Sequence, residues 1–203
     1  SYDMLGNDND RLHTQRTPWG QEVLIAQGID LTPDRNNDVW LYPQGDRTAA
    51  PSAVLSDGCY FMNAIERCSE IDDSQMSPED NLEEYGLVSD EELDRFAARV
   101  ETAARTGRAV VASFGGSALG DVAFVPGVSL RNPKGIRSVA EWYISTLMRP
   151  DYIREVFSRQ TDFAIANYRR LWERCGDKID VCGSALDAPI TVAVQSAAAS
   201  IFL

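Results

Sequence analysis

The run Arg108-Ala-Val-Val-Ala-Ser-Phe-Gly-Gly-Ser-Ala-Leu-Gly-Asp121 is a short apolar segment that stops at a glycine pair and opens into a loop of small residues. Ala109, Val110, Val111, Ala112 and Phe114 are continuous in hydrophobicity rather than alternating, the pattern of a parallel strand covered on both faces. The segment is therefore expected to be interior. Gly115 and Gly116 lack a Cβ and let the backbone lie close against a ligand, while Ser117 and Asp121 add a hydroxyl and a carboxylate just beyond. Gly115, Gly116, Ser117 and Asp121 are the candidate binding residues. A glycine turn is also the plain way for a strand to leave its sheet, and the pair alone does not separate the two readings.

Upstream, Ser89-Asp-Glu-Glu92 is a capping box, and Leu93, Phe96, Ala97, Val100, Ala103 and Ala104 recur at helical spacing. Gly107 stands where a left-handed residue closes a helix, which predicts a helix over 90–106 feeding the strand at Ala109. Downstream, 115–137 is a long connection containing Pro126-Gly127 and Asn132-Pro-Lys-Gly135, expected to cover a pocket. Ser138 starts a helix through Met148. Pro150 is placed for the first turn of a second helix over 151–173, ended by Gly176, and Lys178-Ile-Asp-Val-Cys182 reads as the next strand. Helix, strand, long loop, two helices and strand make a β/α repeat with parallel strands over 71–182.

The N-terminal part, 1–70, reads as loops and hairpins. Turn formers dominate to about Asp38; Val39–Tyr42 and Arg47–Ala50 flank Pro43-Gln-Gly-Asp46, and Val54-Leu55 and Cys59–Met62 flank Ser56-Asp-Gly58, two consecutive hairpins. Their aromatics suit cross-strand packing better than a pocket mouth. The acidic stretch from Ile71 to Leu87 reads as a solvated linker with a short helical turn after Ser77-Pro78, its carboxylates lacking metal-loop spacing.

With 203 residues, 44% of them hydrophobic, the chain can bury a core. Thirty-one acidic residues against 19 basic give a net charge of −12, which repels phosphate backbones and argues against a nucleic-acid partner. No stretch approaches the roughly 20 apolar residues of a membrane span, and no basic-then-apolar leader opens the sequence, so the expectation is a cytoplasmic protein with no membrane partner. Cys59, Cys68, Cys175 and Cys182 contain no Cys-x-x-Cys pair and His13 is the sole histidine, so there is no zinc signature; free thiols are expected.

Several stretches in order resemble the uroporphyrinogen decarboxylase superfamily: Gly-Asp-Arg at 45–47, Pro-Glu-Asp-Asn-Leu-Glu-Glu at 78–84, the Phe-Gly-Gly-Ser-Ala-Leu-Gly-Asp loop at 114–121, Pro-Lys-Gly-Ile-Arg at 133–137 and Glu-Trp-Tyr-Ile-Ser-Thr at 141–146. The nearer likeness is to its methyltransferase-like branch, relatives of methylcobamide:coenzyme M methyltransferases. It spans about residue 3 to 182. What the resemblance implies is a (β/α)8 (TIM) barrel with its pocket at the carboxyl ends of the strands. The expected fold class is α/β, a partial barrel with an N-terminal β-hairpin insertion, and the residues given, which start at Ser1 rather than Met, read as the middle of it. Alone, such a segment is expected to be catalytically silent.

Two departures accompany the likeness. Relatives hold zinc through a His-x-Cys and a later Cys, and no residue here matches, so no metal ligand is carried over; no cofactor is evident in this chain, and the resemblance leaves room for zinc and a corrinoid in the complete protein. The tail at 183–203, in which Ile190–Leu203 carries no charge, leaves the family's pattern and reads as one more buried element or as a shifted reading frame. The implied function is corrinoid- or thiol-linked methyl transfer, acting on a small molecule or a corrinoid protein, with Gly115, Gly116, Ser117 and Asp121 lining the pocket and Arg47 offered to an anionic substrate group. Porphyrinogen decarboxylation is the alternative within the fold, and a non-catalytic truncated domain the alternative outside it. No catalytic residue is singled out.

Overall fold

The computed structural model describes residues 12–16, 20, 22–26, 29–67, 71–113 and 125–183. Among these residues the architecture is mixed α/β, with three α-helices and small sheets, and no sheet closes into a barrel.

Strands β1 (Leu12–Arg16) and β2 (Glu22–Ala26) form an antiparallel hairpin with Leu12 opposite Ala26. The turn-rich composition around it predicts only loop. β3 (Val39–Leu41), β4 (Ala53–Leu55) and β5 (Asn63–Ala64) make a second antiparallel sheet in the order β3-β4-β5. The expected hairpin partners are thus displaced: Val39 pairs with Leu55, not with 47–50, and β4 pairs with Asn63 and Ala64, not with 59–62. The cause is local. Asp46 accepts from both the amide (2.9 Å) and the hydroxyl (2.6 Å) of Thr48, which bends Arg47–Ala49 into a turn, and Pro51 has no N–H to give a ladder. Ile29, Leu31, Val39, Leu41, Ala53 and Leu55 form the apolar cluster beneath this sheet.

A 3-10 turn at Pro78–Asn81 follows, as expected, but the acidic stretch around it is no solvated linker: Asn81 is fully buried and Leu82 joins a core cluster. Helix α1 (Asp90–Ala104) begins where the capping box places it, with the Ser89 hydroxyl accepting from the Glu92 amide at 3.2 Å, and Gly107 beyond its end takes φ +70°. Strand β6 (Val111–Ser113) leads on, and after the long connection come α2 (Val139–Met148), capped by Ser138, and α3 (Pro150–Cys175), which opens on its proline. Gly176 ends α3 in a right-handed conformation and enters a further 3-10 turn, so β7 (Val181–Gly183) starts three residues later than the sequence suggests.

The expected parallel pair is present. Val111, Ala112 and Ser113 of β6 align with Val181, Cys182 and Gly183 of β7. Helices α1 and α3 pack on one side of it through Leu93, Val100, Val110, Leu171 and Cys175. Among the described residues only that side is covered: Val110 and Ala112 are buried while Val111 is 71% exposed, so the segment alternates rather than being interior throughout. Ion pairs Arg170–Asp90 (2.9 Å) and Arg174–Asp94 (2.9 Å) lock the helices' outer edges. A second cluster, Leu82, Val125, Ile136, Trp142, Ile153 and Val156, lies along the first half of α3. Between the two sits Gln160, fully buried, with neither amide atom hydrogen-bonded.

Candidate functional site

Because β6 and β7 run parallel with Ser113 opposite Gly183, their carboxyl ends lie side by side. In open and closed parallel sheets this is the edge at which loops gather ligands. Gly115, Gly116, Ser117 and Asp121 belong to the stretch 114–124 that continues from this edge, and all four fall outside the described residues.

Arg47 lies elsewhere in the chain's order, between the turn at 43–45 and β4. Its guanidinium stands 5.6 Å from the centre of the Tyr42 ring and pairs with the Asp30 carboxylate. Asp30 is itself held well below the usual carboxylate range, first by the Thr32 hydroxyl, then by Gln15 and the Thr32 amide, with the Arg47 charge adding to them. Gln15 donates to Asp30 at 2.8 Å while its carbonyl accepts from the Leu31 amide at 2.8 Å, tying β1 to the loop before β3. Arg47 is 60% exposed and so within reach of an anion, which would share it with Asp30.

The densest polar constellation joins two of the stretches that carry the family likeness. Asn81, in the turn at 78–81, accepts from the Ile136 amide and donates to the Ile136 carbonyl, both at 2.8 Å, holding that peptide as a sheet partner would. The Tyr152 hydroxyl donates to Asn81 Oδ1 at 2.7 Å, and burial, then the Asp80 charge, pushes its pKa up, so it stays a protonated donor. Arg137 is completely buried: Nη1 reaches Glu84 at 2.9 Å, Nη2 reaches Glu83 at 3.3 Å and the Asp80 carbonyl at 2.8 Å, and Nε donates to the Lys134 carbonyl at 2.6 Å. Ser129 donates to Glu84, and Arg67 donates to the Gly127 carbonyl at 2.8 Å. Gly135 permits the close approach: it takes φ +73°, and a Cβ there would meet the Asn81 amide. Arg131, 3.0 Å from Asp46, extends the ties to the Gly-Asp-Arg stretch at 45–47.

This constellation is a clamp. Its charges neutralise one another internally, and its donors face carbonyls and carboxylates of the same chain, which leaves little for a substrate. Neither composition nor periodicity marks Asn81, Glu84 and Arg137 as structural residues. The signal available was Gly135 directly before an Ile-Arg pair, a left-handed position that brings two backbones together.

Beside the clamp opens a groove of about 350 Å3 lined by Glu79, Leu82, Tyr85, Arg159, Asp162 and Phe163. Its walls are apolar and its rim is charged. Glu79 pairs with Arg159, which also holds Glu155 at 2.7 Å. The Ser77 hydroxyl, then its own amide and Arg159, lower the Glu79 carboxyl to about 2, so at neutral pH it is an anion and no proton donor. Among the described residues no group of three or more His, Cys, Asp or Glu is arranged to hold a metal ion, and Cys59, Cys175 and Cys182 are free thiols. Burial raises the Cys175 thiol, which disfavours the thiolate a metal would need.

Compared with models of known families, with curated proteins and with solved structures, the chain finds no match in any of the three.

Proposed function

We propose that the α/β part of this chain belongs to a (β/α)8-barrel enzyme of the uroporphyrinogen decarboxylase superfamily, of its methyltransferase-like branch, and serves methyl transfer from a corrinoid to a thiol. The observation that carries the reading is the parallel register of Ser113 with Gly183, two strands linked through two helices with their carboxyl ends adjacent. The mutual bonding of 78–84 with 133–137 supports it, since two stretches of the likeness prove to be one structural unit. Gly115, Gly116, Ser117 and Asp121 are the proposed binding residues beyond β6, with Arg47 the counter-charge for an anionic group.

As the resemblance implies, a corrinoid would be carried by a partner protein and would supply the methyl group that the thiol accepts, with the proposed residues beyond β6 binding the thiol substrate. The described residues do not fit a zinc site. The chain's charge of −12 disfavours an octacarboxylate tetrapyrrole, which sets methyl transfer ahead of porphyrinogen decarboxylation.

The test supplies the full gene product with methylcobalamin and a series of thiols and follows the thioether by mass spectrometry. Thioether formation, reduced by Asp121→Asn, is the expected result. Conversion of uroporphyrinogen to coproporphyrinogen without thioether, or neither reaction, overturns the proposal.

A further inference from the structure

The groove beside the clamp holds a charge that its own lining does not balance. Arg159, Asp162 and Phe163 stand three and four positions apart on α3 and share one face of that helix, which meets Glu79, Leu82 and Tyr85 across the groove. Leu82 is a buried core residue, and with Tyr85 and Phe163 it makes the lining apolar. Arg159 is engaged by two carboxylates, Glu79 and Glu155. Asp162 is exposed on the rim and forms no ion pair among the described residues. The lining therefore sets one guanidinium, already held, against two carboxylates.

That imbalance selects the guest. An anion would meet Asp162 and Glu79 in the field of a chain of −12, and could reach Arg159 only by displacing a carboxylate. A hard metal ion wants six or more oxygen ligands, and no group of three or more His, Cys, Asp or Glu is gathered for one among the described residues. An uncharged apolar guest would cover part of the rim and strip water from Asp162 without giving it a counter-ion. A cation on an apolar body meets none of these costs. Its charge answers Asp162, its body lies on Leu82, and the rings of Tyr85 and Phe163 add their attraction for positive charge.

We propose that this groove binds a small organic cation, an ammonium group on a single-ring apolar body, with Asp162 as the counter-charge. The site shares no residue with Gly115, Gly116, Ser117, Asp121 or Arg47, and it stands whether or not the chain serves methyl transfer. At about 350 Å3 the groove is at the lower end of the range for ligand clefts. With one exposed carboxylate as anchor, the expected Kd is on the order of 1 mM for a guest of about nine non-hydrogen atoms.

Phenethylammonium is the probe, titrated to about 10 mM into the isotope-labelled full chain and followed by amide NMR shifts. Saturable shifts are expected at Glu79, Leu82, Tyr85, Asp162 and Phe163, with hydrocinnamate, the same ring bearing a carboxylate, and uncharged phenethyl alcohol each at least about threefold weaker. Asp162→Asn should weaken the ammonium about three- to fivefold, whereas Asp151→Asn, the same loss of charge at an exposed position elsewhere on α3, leaves it unchanged. Arg159→Gln releases Glu79 to the groove and should tighten binding by a similar factor. No saturable shift by 10 mM, shifts centred elsewhere, a carboxylate or alcohol bound as tightly as the ammonium, or an affinity indifferent to Asp162→Asn overturns the proposal. Weakening by Arg159→Gln overturns the assignment of the guest as a cation.

Discussion

Replacing Asn81 by Ala removes one side chain and strands several groups at once. The Ile136 N–H and C=O, bonded to Asn81 at 2.8 Å each in the folded chain, lose the partners they have among the described residues, at a residue that is fully buried. The Tyr152 hydroxyl keeps the Ser77 carbonyl at 3.1 Å and so is not orphaned. An unsatisfied buried backbone group costs about 1–3 kcal/mol, which puts the two together at about 2–6 kcal/mol. Set against a total stability of about 5–15 kcal/mol, the change should bring a stable chain close to the edge of folding. Urea unfolding followed by circular dichroism at 222 nm measures it: with a slope near 2 kcal/mol per molar, the midpoint should fall by about 1–3 M. Asn81→Asp, which keeps the acceptor and loses the donor, should also destabilise. A midpoint shift below about 0.5 M at unchanged slope would refute the clamp as a main support of this core.

Gly135→Ala should destabilise through φ +73° and through crowding of the Asn81 amide; in the Asn81→Ala background the backbone strain and the 3.1 Å approach to the Asp80 carbonyl carbon remain but the amide clash is gone, so the two costs should be less than additive in a double-mutant cycle. Arg137→Met removes the guanidinium from Glu84, whose side chain is only 10% exposed, and should cost about 3–5 kcal/mol, part of it recovered by adding Glu84→Gln. Gln160→Met replaces a buried amide without hydrogen bonds by an apolar group of like size and should raise stability by about 1–2 kcal/mol in the same urea titration. Glu79 titrates at about 2 when folded against an ordinary 4.5, so its stabilising contribution is complete above 4.5 and is lost as pH falls toward 2. The acid side of the stability–pH curve should therefore flatten over that window in Glu79→Gln, and Arg159→Ala should move the Glu79 titration upward by NMR.

Local rules carried the helices. Ser89, Glu92 and Gly107 mark both ends of α1 because capping is a short-range hydrogen-bond problem with few solutions, and Pro150 marks the start of α3 for the same reason. The parallel pairing of β6 with β7 was legible from element order. What failed was a local turn that the composition does not single out, and burial that is settled at a distance. The Asp46–Thr48 bonds moved the partner of β3 from 47–50 to 53–55, and the burial of 78–84 depends on Arg137, more than fifty residues on, which no periodicity in an acidic stretch reveals. Of the candidate site residues only Arg47 lies among those described, and it is engaged by Asp30. The solvent-exposed Val111 was missed because a continuous apolar run does not say how many layers cover a strand.

The clamp also imposes a timetable on synthesis. Arg137 follows Glu84 by 53 positions and Ile136 follows Asn81 by 55. A ribosome adding about 5–20 residues per second emits the acidic half about 3–10 seconds before the guanidinium that completes it. Through that interval Glu79, Asp80, Glu83 and Glu84 stand without Arg137 and Arg159, four like charges in six positions. Their mutual repulsion keeps the nascent stretch hydrated and apart from other chains, so the residues that later sit against the core begin as its solubilising segment, and the arrival of Arg137 converts one role into the other.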